Sequence, residues 1–543
     1  MMRPMLNLHS VARAFVVLCT LLAVAGCGVE SPAPTYRLEP VVPVGSPFHG
    51  VHGLRFDSDD NLYAASVIGQ SLFTVDIESG AVNLFVGPRE GMADDIAIAA
   101  DGTFVWTAIE DGIVYARAPG GPVRKLLEGY KGVNAVSFGP DGRRLFLTLV
   151  FYGDALYELD LYGGAAPRLI AEGIGGLNAF GVAGDGMIYG PLVFGGRVVR
   201  IDPDTGSIAT VSDDFASPGA LKLESDESAL VLDDGAEIKR VNLATGETTL
   251  LATLPSGGDN LAIDSQGRVY VSLSETNAIV VIDPRSGDMR YVVEPAPLNS
   301  PAGFAAWSQA GRDTLYVGDL FGGIKVIDAA TGGIEHKAVE LFQPVHIAVT
   351  ETAVYAVSQV FGTIQRFDKA TFEVLDTWEG FNAPGDVLAA ASGELIVADT
   401  GSGRVLRVTG PAERDREALA EDLVAPTGLA WSGPDAVYVS ESTGGRVLRI
   451  DLESNAIDDV ATGLDQPEGL AVTDEGAILV VEVGAKTLTR IDPTDGSRTV
   501  LAGDLPVGWA NGPSLYRDVE IGASGIYLTS DVDNTIYRLD ESP

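Results

Sequence analysis

The sequence predicts an all-β fold: two tandem six-bladed β-propellers, built from twelve four-stranded blades. The first observation behind this is a repeat. A small or polar residue leads into an apolar strand; a turn, a second strand, a polar loop and a third strand often ending in Asp follow. GVHGLRFDSDDNLYAAS from Gly50, GDNLAIDSQGRVYVS from Gly258, PTGLAWSGPDAVYVS from Pro426 and PEGLAVTDEGAILVV from Pro467 are four copies. The residue opening the first strand recurs at Gly53, Asp95, Ala135, Ala179, Ala220, Asn260, Gly303, His346, Asp386, Gly428, Gly469 and Asp518. A period of roughly 40–45 residues with several short strands per unit is that of propeller blades. The second observation is the count. One ring of twelve would surround a wide, unfilled channel, since propellers usually hold about four to eight blades. Six and six is the simplest division.

In chain order, residues 1–26 read as an export signal. Arg3 and Arg13 supply positive charge, Ala14 to Val24 is apolar, and the segment ends Val24-Ala25-Gly26-Cys27. This resembles a bacterial lipoprotein signal, which implies cleavage before Cys27, its lipidation, and attachment to the cell envelope (the outer membrane in a diderm bacterium). The apolar run is shorter than the roughly 20 residues of a membrane span. Residues 27–34 are a short tether, 35–286 the first propeller and 287–543 the second. The proline-rich stretch from Glu294 to Pro301 marks the crossing between rings. The last repeat ends at its third strand, and an unpaired strand-like segment, Tyr36 to Val44, precedes the first repeat. The expectation is an exchange. Tyr36 to Val44 supplies the outer strand of blade six, Met289 to Glu294 completes blade twelve, and the turn Asp283 to Gly287 is the hinge. Each ring then has no open edge.

The chain carries 75 acidic and 36 basic residues, a formal charge of −39. Phosphate backbones and anionic lipid surfaces repel such a chain, which excludes nucleic acid as partner and leaves membrane contact to the N-terminal lipid. Cations, Ca²⁺ among them, are attracted. Part of the acid is turn chemistry: Asp101-Gly102, Asp141-Gly142 and Asp185-Gly186 sit where tight turns want Asp-Gly. The two cysteines are Cys19 and Cys27, so cleavage and lipidation leave no thiol and no disulfide.

The first strand of a blade lines the channel, and the residue just before it faces what we term the near mouth. In the first ring those residues are His52, Asp94, Asn134, Asn178, Gly219 and Asp259. In the second they are Ala302, Val345, Gly385, Thr427, Glu468 and Arg517, with His346, Asp386 and Asp518 one position on. The first set is the more polar. Asp94, Asn134, Asn178 and Asp259 are candidate ligands of a divalent metal such as Ca²⁺, which takes roughly 6–8 oxygen ligands. His52 is a candidate general base, with an ordinary pKa near working pH. The competing reading is that Asn and Asp here cap turns and the channel holds water.

The stretches ADTGSGRV from Ala398, SESTGGRV from Ser440 and NGPSLYRD from Asn511 resemble NHL repeats. The whole body is similar to the broad group joining NHL proteins, streptogramin lyases and the regucalcin/gluconolactonase family. The last uses a six-bladed ring, and the resemblance implies a divalent metal held by Glu, Asn, Asn and Asp at the channel mouth, with lactone hydrolysis. Asn134, Asn178 and Asp259 match the last three of these. His52 stands where Glu is expected, and Gly219 separates the second Asn from Asp259.

A further repeat is aromatic. The loop after the second strand carries Phe151, Phe194, Phe321 and Phe361, in adjacent blades three and four, then seven and eight. An apolar rim around a polar centre fits a ligand site; packing between blades is the alternative. Glu468 and Trp509 are further candidate rim residues, Trp509 in the longest inter-blade stretch, where a lid or docking tip is one reading and packing on blade eleven the other. Asp399, Glu441, Glu482 and Asp531 occupy equivalent loop positions and are expected to fix those loops through backbone N–H groups. No P-loop, G-x-S-x-G, H-E-x-x-H or C-x-x-C stands in the chain. The expected function is an envelope-anchored protein binding a small molecule, glycan or protein at its propeller mouths. The alternative is a metal-dependent hydrolase or lyase with its site in the first ring.

Overall fold

Twelve four-stranded antiparallel sheets make up the computed structural model, which describes residues 36–162, 164–337, 343–509 and 516–541. Cys27, the export signal, the tether and Asn511 to Leu515 lie outside the described residues. Blades one to six span 51–86, 96–127, 133–172, 181–212, 218–253 and 261–293. Blades seven to eleven span 301–337, 344–379, 386–420, 426–462 and 467–502, and blade twelve begins at 519. Blade one packs on blades two and six, and blade seven on blades eight and twelve, so each set of six closes into its own ring.

The repeat produces this geometry by placing small residues where blades converge. A Cβ on Gly53 would meet the Asp94 carbonyl oxygen at 2.5 Å, and one on Gly303 would meet the His346 ring at 2.4 Å. An Asp at the same position of other blades ties neighbours together. Asp95 accepts the Val136 N–H at 3.2 Å, Asp386 that of Leu429 at 2.7 Å, and Asp518 that of Phe304 at 3.1 Å. Each bond joins one blade to the first strand of the next. Between blades, Trp106, Tyr270, Tyr527, Phe73, Phe146 and Phe304 are fully buried. The Asp-Gly turns form as expected: Asp101, Asp141 and Asp185 each accept the N–H two residues on, and the glycines take φ of +81°, +64° and +84°.

The strand exchange read from the sequence does not occur. Met289–Val293 stays in blade six, paired with Ala278–Ile282, and Tyr36–Pro40 pairs with Thr535–Glu541 as the outer strand of blade twelve. The turn proposed as a hinge is an ordinary hairpin turn, with Asp283 accepting the Arg285 N–H at 2.8 Å and Gly287 at φ +77°. A hairpin closes a loop of a few residues, which costs less chain entropy than reaching another ring. The one strand left without a blade is the N-terminal one, and the one open edge is the last. Among the described residues the chain therefore passes first through the second propeller, crosses to the first, and returns.

Both crossings run along a seam made by near-mouth loops. Gly50 N–H donates to the Asn277 and Asn299 side chains at 2.8 and 3.1 Å. Asn277 donates to the Phe48 carbonyl at 2.7 Å, and Asn534 to the Ser46 and Phe48 carbonyls at 2.8 and 2.6 Å. Ser300 N–H donates to Asn534 at 3.1 Å. Three side-chain amides thus satisfy backbone that would otherwise be buried without partners.

Candidate functional site

At the near mouth of the first ring, His52, Asp94, Asn134, Asn178 and Asp259 come from blades one, two, three, four and six. Asn134 is buried and the other four are partly buried. Their backbones are held: Asp94 N–H donates to Thr107 O at 2.8 Å, Asn178 to Pro191 O at 3.2 Å and Asp259 to Ser272 O at 3.0 Å. Their side chains are not. Asp94, Asn134, Asn178 and Asp259 make no side-chain hydrogen bond or ion pair with a described residue, and His52 Nδ1 is buried without a partner. Removal from water pushes the Asp94 carboxyl up to about 7, with Asp259, Asp95 and Glu110 adding repulsion and His52 opposing it. Burial, then Asp95, puts Asp259 at about 7 as well. Burial lowers His52 against the pull of Asp94, which keeps the imidazole neutral at neutral pH.

Among the described residues, no three His, Cys, Asp or Glu side chains group as a metal centre. A cation here would need the amide oxygens of Asn134 and Asn178 beside the two carboxylates. That donor set is all oxygen and uncommitted, and it suits a hard divalent ion.

The near mouth of the second ring is occupied by its own side chains. His346 Nε2 lies 2.8 Å from Asp386, its Nδ1 lies 3.5 Å from Asp518, and the Tyr516 hydroxyl donates to Asp386 at 3.4 Å. Burial alone would lower His346; Asp386 and Asp518 outweigh it and raise its pKa. Arg517 is 1% exposed and joins two acids. It donates to Asp531 at 3.0 and 2.5 Å and to Glu468 through its N–H at 3.0 Å and Nη1 at 3.4 Å. Glu468, a candidate rim residue, is buried inside this network, where loss of hydration raises it to about 7 against the Arg517 charge.

The aromatic loops divide. Phe151 and Phe194 are 58% and 64% exposed and meet edge to face, with ring centroids 5.8 Å apart. Phe151 holds φ at +67°, a conformation that costs a bulky residue about 1 kcal/mol or more and that clusters at functional sites. Phe361 is 63% exposed on the second ring. Phe321 does not stand on a free rim: it crosses the seam and sits edge to face with His52 at 5.7 Å. Trp509 also crosses. Its indole N–H donates to Gly69 O at 2.9 Å, and its ring stacks on His49 and Phe73 of the first propeller at 5.9 and 6.0 Å. It packs on blade one and also against a second-ring cluster that includes Ala302, Val345 and Tyr516. Asp399, Glu441, Glu482 and Asp531 accept the backbone N–H groups of Asn382, Val424, Asp465 and Gly508, as the loop positions suggested.

Position along the first strand also matters further down the channel. Two residues past the opening position stand Arg55 and Lys222, which the reading of the near mouth passed over. The register that gave His52 and Asp94 gives these two when advanced three places.

The fold and these residues define a β-propeller protein, and comparison with known proteins agrees. Residues 174–319 match the family model of the SMP-30/Gluconolactonase/LRE-like region. The match begins before blade four and ends in blade seven, so it crosses the boundary between rings. No curated protein matches the sequence. Among solved structures, the extracellular domain of the one-component system BT4673 from B. thetaiotaomicron is 12% identical, covering 93% of this chain and 79% of that one, with TM-score 0.33. The same domain, described as that of a hybrid two-component system, is 12% identical over 94% and 79%, with TM-score 0.35. No helix among the described residues is long and apolar enough to cross a membrane.

Proposed function

We propose that this chain is an exported, lipid-anchored binding protein whose first near mouth receives a small polar molecule or the end of a glycan. One observation carries the reading: four polar side chains from the near-mouth positions of four blades make no hydrogen bond or ion pair with a described residue, and the same ring carries an exposed Phe151–Phe194 pair. Unspent hydrogen-bonding groups with an apolar shelf are what a polar ligand with one apolar face requires. Export and anchoring rest on the N-terminal segment and Cys27. The test is a glycan and metabolite binding screen with wild-type protein and with Phe194→Ala and Asn134→Ala. Ligands that bind the wild type and lose affinity in both variants support the reading; binding unchanged in both removes it.

The oxygen donors favour a second reading, metal-dependent hydrolysis. Asp94, Asn134, Asn178 and Asp259 would hold the ion. A bound divalent cation supplies polarisation of a carbonyl and a more acidic water. His52, held neutral, is able to accept a proton. Metal content of protein purified without chelator, and turnover of a lactone and ester panel, separate the two. Turnover abolished by Asn178→Ala replaces the binding reading with this one.

A further inference from the structure

The opposite end of the first channel has a different chemistry. A cavity of about 450 Å³ opens there, lined by residues of blades one, three, four, five and six, with Arg55 and Lys222 in its wall. Neither cation makes a hydrogen bond or ion pair with a described residue. The one acid whose charge reaches both is Asp95, and Lys222 also feels Arg55. One Asp95 oxygen accepts the Val136 N–H at 3.2 Å, and the other is buried without a hydrogen-bond partner and bonds neither cation. Neither cation is thus paired with a described residue, although Asp57, Asp60 and Asp264 share the cavity wall.

The acids at this rim are committed elsewhere. Asp57 accepts the N–H groups of Asp59 and Asn61 at 2.9 Å, Asp60 accepts the Ser265 N–H at 3.0 Å, and Asp264 pairs with Arg268 at 2.6 Å. The second ring offers a comparison. At the positions matching Arg55 and Lys222 it has Ala305, Ala348, Leu388, Ala430, Ala471 and Glu520, with no cation. The pair is therefore peculiar to the first ring rather than part of how a ring closes. Two like charges held inside a channel raise the free energy of the fold unless something balances them. Burial accordingly lowers the pKa of both groups.

We infer that the far mouth of the first propeller is an anion site, where the acid group of a small carboxylate or phosphate compound sits between Arg55 and Lys222. Arg55 is shared with a second cavity of about 680 Å³ between blades one and two, whose wall includes Phe56, Phe85, Ile98 and Phe104. The occupant's acid lies in the channel and an apolar body extends along this groove. Arg117 in the same wall is occupied, donating to the Gly121 and Phe85 carbonyls at 3.2 and 3.3 Å. Arg55 and Lys222 are thus the recognising cations.

The test is calorimetric melting of the full chain in sodium phosphate, in sodium hexanoate, and in sodium chloride at matched ionic strength. Matching matters because a chain this acidic responds to salt alone. The expected result is a rise of about 2–5 °C over chloride at about ten times the dissociation constant, in one anion or both. Phosphate alone points to a phosphate compound, and hexanoate alone to an organic acid. Lys222→Met and Arg55→Met lose the rise, while the surface variant Lys486→Met keeps it. In chloride, Lys222→Met melts no lower than wild type. Asp94→Asn, at the other mouth, keeps the anion response, which separates this site from the near-mouth reading. No anion-specific rise in the wild type, a decision needing no variant, overturns the inference. So does a rise that survives both substitutions.

Discussion

Replacing Asp94 by Asn tests the electrostatics of the first near mouth. The wild-type carboxyl is raised from 3.8 to about 7 by burial and by Asp259, Asp95 and Glu110. Between those values the folded chain keeps a proton that the unfolded chain has released, so stability falls as pH rises from about 4 to about 7. A shift of roughly three units is about 4 kcal/mol at about 1.4 kcal/mol per unit. Asp94 and Asp259 titrate as a pair and water enters the channel mouth, so about half, ~2 kcal/mol, is expected for one substitution. No side-chain hydrogen bond is lost, since Asp94 makes none with a described residue. The variant should melt about 4 °C or more above wild type at pH 8 and by a clearly smaller margin at pH 4.5, nearer the unfolded value of 3.8. Scanning calorimetry at both pH values measures this. A variant no more stable than wild type at pH 8, or equally advantaged at pH 4.5, refutes the reasoning.

Two further outcomes are expected. Arg517→Met strands Glu468 and Asp531 as buried acids, and the second propeller should lose about 3–5 kcal/mol, read as a lowered calorimetric transition. Deleting residues 1–40 leaves Thr535–Glu541 as a bare edge strand. Limited proteolysis should then cut blade twelve first and leave the first ring, whose blades all keep their own strands, intact.

The blades were legible because a period near 42 residues is written in side chains of fixed character: small residues where blades converge, and Asp-Gly at turns. The near-mouth set was legible for the same reason, since His52, Asp94, Asn134, Asn178 and Asp259 occupy one register. Strand ownership at the ends was not. Nothing in the residues of Tyr36–Pro40 distinguishes an edge in blade six from one in blade twelve; only the finished count of strands does. The seam contacts of Trp509 and Phe321 were not legible because their partners, Gly69, His49 and His52, lie more than 260 positions away along the chain. Arg55 and Lys222 look like ordinary surface cations until the strand carries them into the channel.

The ladder that closes blade twelve aligns Tyr36 with Glu541 and Pro40 with Tyr537. Tyr36 and Glu541 therefore stand side by side at one end of it. A pull applied between them strains a single pair at a time, so this ladder unzips bond by bond instead of resisting in shear. The second disc is the mechanically soft one, and the first, held within its own hairpins, outlasts it under load.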